Sequence, residues 1–258
     1  MPIPVYISLT SIFKNQSQLL ETLVSITKQT YLPKKIFLYL SEEPYLLDTG
    51  FKDKKITNLE LLNFLYKNKN FIELVWVNNE GSYRKLLPLL KKKWNEDCII
   101  ITIDDDTVYV ENLIENLIND YNRHKCVTCY FGFTPKSSIS GKVEDFNSRD
   151  RGSLINKHIY NFPMGKGGIL YKPQFFHKTN ELIFNKNFYI KICSKQDDLW
   201  FYMVRVLNNV ECFLDTKKYM SKDLSNIGLF HTYNSKNNAN TLSFKKLFEE
   251  LKLKKFIK

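Results

Sequence analysis

Short apolar runs that alternate with segments of helical spacing constrain this chain more than any other feature of it. PVYISLT, near the amino terminus, is apolar and ends in small hydroxyl residues, which predicts a buried parallel strand. Residues 15–29 carry Leu19, Leu20, Leu23, Val24 and Ile26 at the spacing of one helix face. Lys35 to Leu40 reads as a second strand, Leu59 to Tyr66 as a helix, FIELVWV as a third strand, and Ser82 to Trp94 as a helix that Pro88 kinks. CIIITI is strongly β-branched and reads as the central strand. A helix over Val110–Tyr121 and a strand at VTCYFGF follow. This β-α-β-α-β-α-β order predicts a parallel sheet with helices on both faces, and such sheets bind ligands beyond the carboxyl ends of their strands. The second half is less regular. It holds a glycine-rich segment, a helix near Gln196–Leu207, a strand at Val210–Leu214 and a basic helix at the end.

With 258 residues and 43% hydrophobic content, the chain can bury one sizeable core. No stretch approaches the roughly 20 apolar residues of a membrane span. The amino terminus lacks the basic region and cleavage site of a signal peptide and reads as the first strand. Five irregularly spaced cysteines form no disulfide framework, so a cytoplasmic setting is expected. Cys126 and Cys129 read as buried strand side chains, since no second pair or nearby histidine completes a zinc site. The net charge of +11 admits phosphorylated ligands, anionic membrane or nucleic acid as partners. No RNP, zinc-finger or helix-turn-helix signature supports the last.

Directly after the central strand stand Asp104, Asp105 and Asp106. Three adjacent carboxylates repel one another, and at a crevice a divalent cation would neutralise them. Mn²⁺ and Mg²⁺ take oxygen ligands and bridge carboxylates to phosphates. The competing reading is an acidic turn before the following helix. Asp197 and Asp198 open the helix near Gln196–Leu207. A carboxylate there is either a cap or the general base of a transfer reaction; Asp198 is taken as base, Asp197 as cap or acceptor contact.

In NFPMGKGGILY, Gly165, Gly167 and Gly168 precede a short strand and form either a hairpin turn or a sugar-contacting loop. The spacing of a P-loop is missing. Arg84 and Lys85, placed at a helix start against the helix dipole, suggest an anionic ligand such as a diphosphate, with plain surface charge as the alternative. His231 is either structural or reaches the metal or the diphosphate.

Five pieces in order, PVYISLTSI, SYRKLLPLLKKKW, ITIDDDTVY, GKGGILY and QDDLWFYMV, resemble GT-A-fold glycosyltransferases, close to the inverting family-2-like group of small bacterial and viral enzymes. The acidic pair common in that group as Glu-Asp is Asp-Asp here, and no Q-x-x-R-W element is present. The resemblance implies a GT-A-like (Rossmann-like) fold in one domain over 1–258. Residues 1–123 would bind the nucleotide-sugar, a UDP- or GDP-sugar. Residues 124–241 would form the acceptor half, and 242–258 a basic amphipathic helix. It implies Asp106 as the final metal-binding carboxylate of a D-x-D element, with Asp104 contacting ribose or metal and Asp105 beside them on the donor. Thr10 and Ser11 fall where nucleotide base and ribose lie, Lys85 where a basic residue meets the diphosphate, and Asp198 at the base position. The acceptor would be a glycan or a lipid-linked sugar.

In TLSFKKLFEELKLKKFIK, Leu242, Phe244, Leu247, Phe248, Leu251 and Phe256 track one face among lysines. That face either packs on the domain or lies on an anionic membrane, the inner face in a cytoplasmic protein. A sugar-phosphate nucleotidyltransferase is the rival enzyme reading. Such enzymes usually carry a glycine-rich loop at the first strand, and PVYISLTSIFKNQ has no glycine.

Overall fold

The computed structural model describes residues 3–135, 154–224 and 239–251. In chain order the strands are β1 (Val5–Thr10), β2 (Lys35–Leu40), β3 (Ile72–Trp76), β4 (Ile99–Thr102), β5 (Thr107–Val108), β6 (Val127–Cys129), β7 (Gly132–Phe133), β8 (Ile155–His158), β9 (Phe162–Pro163), β10 (Ile169–Tyr171), β11 (Cys212–Asp215) and β12 (Lys222–Asp223). The helices are α1 (Gln16–Thr27), α2 (Leu59–Lys67), α3 (Leu87–Lys92), α4 (Leu113–His124), α5 (Asn180–Ile183), α6 (Lys186–Cys193), α7 (Asp197–Leu207) and α8 (Ala239–Glu250).

Eight strands form one sheet in the order β3-β2-β1-β4-β10-β6-β11-β8, an α/β architecture with helices on both faces. β3, β2, β1 and β4 are parallel neighbours, as the alternation of short apolar runs and helices requires. Burial on both faces explains why these strands read as continuous apolar runs. Ile7, Leu9, Ile36, Leu38, Ile99 and Ile101 point into one core with α1, α2 and α4. Tyr6, Phe37, Tyr39 and Ile100, one residue out of phase, point into the other with α3 and α7.

The second half departs from the expected alternation. β10 inserts antiparallel between β4 and β6, so the strand that follows α4 is not the neighbour of β4. VTCYFGF also breaks in two. Tyr130 turns its hydroxyl to Asp120 Oδ2 at 2.7 Å, and β7 leaves the main sheet to pair with β9. The expected helix over Ser82–Trp94 is a 3₁₀ turn, Gly81–Lys85, followed by α3. The break falls at Leu86, and Pro88 sits in the first turn of α3, where its missing N–H is harmless and no kink results. Arg84 and Lys85 therefore do not stand at an α-helix start. α4 begins at Leu113, three residues later than expected, because residues 107–111 run along α1 and the turn that follows it.

α8 buries Phe244 and Leu247 against the core that holds α7. The apolar face that the sequence offered to a membrane is thus used in packing at Phe244 and Leu247, while Leu242 stays 63% exposed; residues 252–258 and His231 lie outside the described residues. All five cysteines are buried as free thiols, and burial pushes Cys98 and Cys126 up to about 11 and Cys129 and Cys193 up to about 12.

Arg205 ties the irregular half together. It is fully buried in α7, and its guanidinium donates to the carbonyls of Ile159 and Asn161, each at 2.8 Å, and to that of Val210. Arg205→Ala strands these carbonyls and opens a cavity, so it should lower the unfolding free energy by about 3 kcal/mol or more, measured by denaturant unfolding.

Candidate active site

The carboxyl ends of β1 and β4, the 3₁₀ turn 81–85, the glycine segment and the start of α7 enclose one cavity of about 480 Å³. Thr10, Ser11, Arg84, Lys85, Asp104, Asp105, Asp106, Asp197 and Asp198 all line it. Residues 94 positions apart thus meet because parallel strands deliver their carboxyl ends to one edge.

Lys85 stands at the centre. Its side chain is 6% exposed, and its Nζ lies 2.9 Å from Asp197 Oδ2, 3.0 Å from Asp198 Oδ1 and 3.2 Å from Asp104 Oδ1. Burial works against the ammonium, and the three carboxylates outweigh it, holding its pKa well above the usual lysine value. Ser82 donates to Asp197 Oδ1 at 2.6 Å, and the Gly165 amide donates to Asp198 Oδ2 at 2.9 Å. A Cβ at Gly165 would stand 2.5 Å from Asp104 Oδ1 and 2.6 Å from Lys85 Nζ, so only glycine lets this backbone reach the cluster.

The other glycines have different work. A Cβ on Gly167 would meet the Phe131 nitrogen at 2.3 Å, and Gly168, at φ +69°, packs over Leu113 and Leu117. Neither lines the cavity, so the sugar-contacting reading of Gly167 and Gly168 is replaced by a packed turn, with Gly165 as the glycine that faces the site.

Arg84 is 1% exposed and its donors are engaged. Nε donates to the Gly81 carbonyl at 2.9 Å, Nη1 to Ser41 Oγ at 2.6 Å and Nη2 to Asp48 Oδ2 at 3.1 Å. Asp48 also accepts from the amides of Phe13 and Gly50, each at 3.0 Å. This buried pair joins three loops at the cavity wall. Thr10 donates to the Tyr39 carbonyl at 2.7 Å, while Ser11, and Asn15 at 3.2 Å, donate to Asp105 Oδ2. Asp105 therefore anchors the acidic triplet to the end of β1.

Burial pushes Asp105 up to about 6, with Asp104 adding to the rise. Burial and then repulsion from Asp105 and Asp104 push Asp106 up to about 7. Burial also carries Asp198 to about 7, against the pull of Lys85. The short pairing of β5 with β12 brings Asp223 beside Asp106, and Asp223 accepts from Lys166 at 2.6 Å and from the Tyr219 hydroxyl at 2.7 Å.

Among the described residues no group of three or more His, Cys, Asp or Glu side chains could by itself hold a metal ion. Asp104 and Asp106 offer hard oxygen donors, and repulsion inside the triplet is what a cation offsets. One or two carboxylates completed by phosphates and water is the usual Mg²⁺ arrangement, so the residues present fit a substrate-bridged ion.

Sequence reasoning missed Asp48, Ser82 and Asp223 and gave Gly165 no special place. Only Gly165 had a local signal, in the G-K-G-G string. The others take part through pairings that no short window reveals.

No protein-family profile and no curated protein sequence matches the chain. Solved structures do. The chain is similar to S. aureus TarS residues 1–349 in complex with UDP, with 16% identity and TM-score 0.53 over 84% of this chain and 59% of that one. The UDP-GlcNAc complex of TarS aligns with 15% identity and TM-score 0.54 over 90% and 62%. A 4-diphosphocytidyl-2C-methyl-D-erythritol synthase from Anaerococcus prevotii aligns with 12% identity and TM-score 0.52 over 95% and 96%. The chain spans about three fifths of the TarS structures it matches with ligand. At these identities the likeness establishes the fold, and the fold is GT-A-like.

Proposed function

We propose that this protein is a glycosyltransferase that moves a sugar from a nucleoside-diphosphate sugar to a hydroxyl of a glycan or lipid-linked acceptor, with inversion. The observation that carries this reading is the convergence of Asp104–Asp106 and Asp197–Asp198 on one cavity, with Lys85 between them. A similar fold in complex with UDP-GlcNAc makes a UDP-sugar the first donor to test, ahead of a GDP-sugar.

Asp104 and Asp106 would hold Mn²⁺ or Mg²⁺, which supplies positive charge to the departing diphosphate. Asp198 takes the proton from the acceptor hydroxyl. A carboxylate with a pKa of about 7 suits that task near neutrality. Ser82 and Lys85 fix Asp197 beside it, where it can orient the acceptor. Thr10, Ser11 and Asp105 border the end of the cavity assigned to the nucleotide.

Asp106→Ala should abolish sugar transfer from a UDP-sugar without lowering the melting temperature. Asp198→Asn should lower kcat about 100- to 10,000-fold, read by release of nucleoside diphosphate. Wild-type turnover in either variant removes the assigned role, and pyrophosphate as the product transfers the protein to the nucleotidyltransferases.

The carboxylates also set a pH signature. Folded Asp105, Asp106 and Asp198 hold their protons to about 6 to 7, above the unfolded value of about 3.9. Between these limits the folded state binds more protons, so stability falls as pH rises. Without metal, the melting temperature should drop from pH 5 to pH 8, and Asp106→Asn should flatten the drop.

A further inference from the structure

We propose that the outward face of α2 docks on an anionic membrane surface. α2 buries Leu61 and Leu65 against α1 and the sheet. It also presents Leu59 at 71% exposed, Leu62 at 44% and Tyr66 at 70%. At about 100° per residue these three fall within about 60° of one another around the helix. They form one row and are not scattered apolar residues.

Cations flank the row at both ends. Lys52, Lys54 and Lys55 lie exposed in the turn before the helix, and Lys67 and Lys69 lie exposed at its end. Lys69 Nζ sits 4.9 Å from the centre of the Tyr66 ring, so this cation and this aromatic ring stand together. Glu60 is about 100° away from Leu59 around the axis and leaves the row uncharged. A leucine pair and a tyrosine on the exposed face of α2, with lysines before, at and after its end, match the chemistry of an interfacial helix: the apolar row enters the headgroup region and the lysines meet anionic lipid. Charge selects the occupant, because five lysines against Asp53 and Glu60 favour a partner that is itself negative.

The docking site is rigidly tied to the cavity. Asn58 caps α2 by accepting from the Leu61 amide at 2.9 Å, and Gln16 Oε1 accepts from the amides of Thr57 at 2.9 Å and Asn58 at 3.0 Å. Gln16 adjoins Asn15, which lines the cavity. A bilayer under α2 therefore holds the cavity at a fixed distance from the lipid.

The test is co-sedimentation of the full chain with phosphatidylcholine vesicles, with and without about one third phosphatidylserine. Wild type should bind only the anionic vesicles, and binding should weaken as salt rises. L62E/Y66E and K52E/K54E/K55E should each lower binding about tenfold or more, with circular dichroism and melting temperature unchanged. K245A/K246A on α8 should bind as wild type. The proposal is overturned if wild type does not bind, if both α2 variants bind as wild type, or if only the α8 variant loses binding. A solution dimer that L62E/Y66E dissociates, without vesicle binding, would give the face to a second copy of the chain instead.

Discussion

An ammonium group taken out of water is tolerable only when negative charge surrounds it, and Lys85 has three carboxylates within 3.2 Å. The converse holds equally. Asp104, Asp197 and Asp198 can crowd one wall of a cavity because Lys85 stands between them. Removing either side leaves buried charge without compensation. The contact also joins the two halves of the molecule, since Asp104 follows β4 and Asp197 and Asp198 begin α7. The relative position of Asp104 and the Asp197–Asp198 pair is thus set by one amine, a Ser82 hydroxyl and the Gly165 amide.

The sheet supplies the other part of that positioning. β1 and β4 pair in register from Val5↔Ile99 to Ser8↔Thr102, so Ser11 and Asp105 emerge side by side and hydrogen-bond. Arg84 and Asp48 do the same for the loops after β1 and β2. The cavity-lining side chains sit on short loops and at the start of α7, and buried polar contacts hold those segments.

Much of the first half was readable from residue order. Lys35–Leu40 is β2 to the residue, and α2 differs from the expected span by one position, because short apolar runs and 3.6-residue spacing are local properties. The acidic triplet was legible for the same reason: it follows the central strand directly. What stayed hidden is non-local. β10 enters between β4 and β6 through pairing with residues about 40 to 70 positions away. The role of Arg84 depends on Asp48, whose neighbours in sequence say nothing of it. The sequence does not separate Gly165 from Gly167 and Gly168, because the need for glycine at 165 arises only once Asp104 and Lys85 stand against it.

The buried thiols carry a practical consequence. Cys98, Cys126, Cys129, Cys193 and Cys212 are spread over both halves and all are shielded, with thiolate formation suppressed by burial. An alkylating reagent can modify them only when the surrounding segment opens. The rate at which each cysteine acquires label, resolved by mass spectrometry, therefore maps local opening along the chain without any engineered probe. Cys193, whose carbonyl and sulfur both meet the Tyr83 hydroxyl, would clock the turn that carries Lys85.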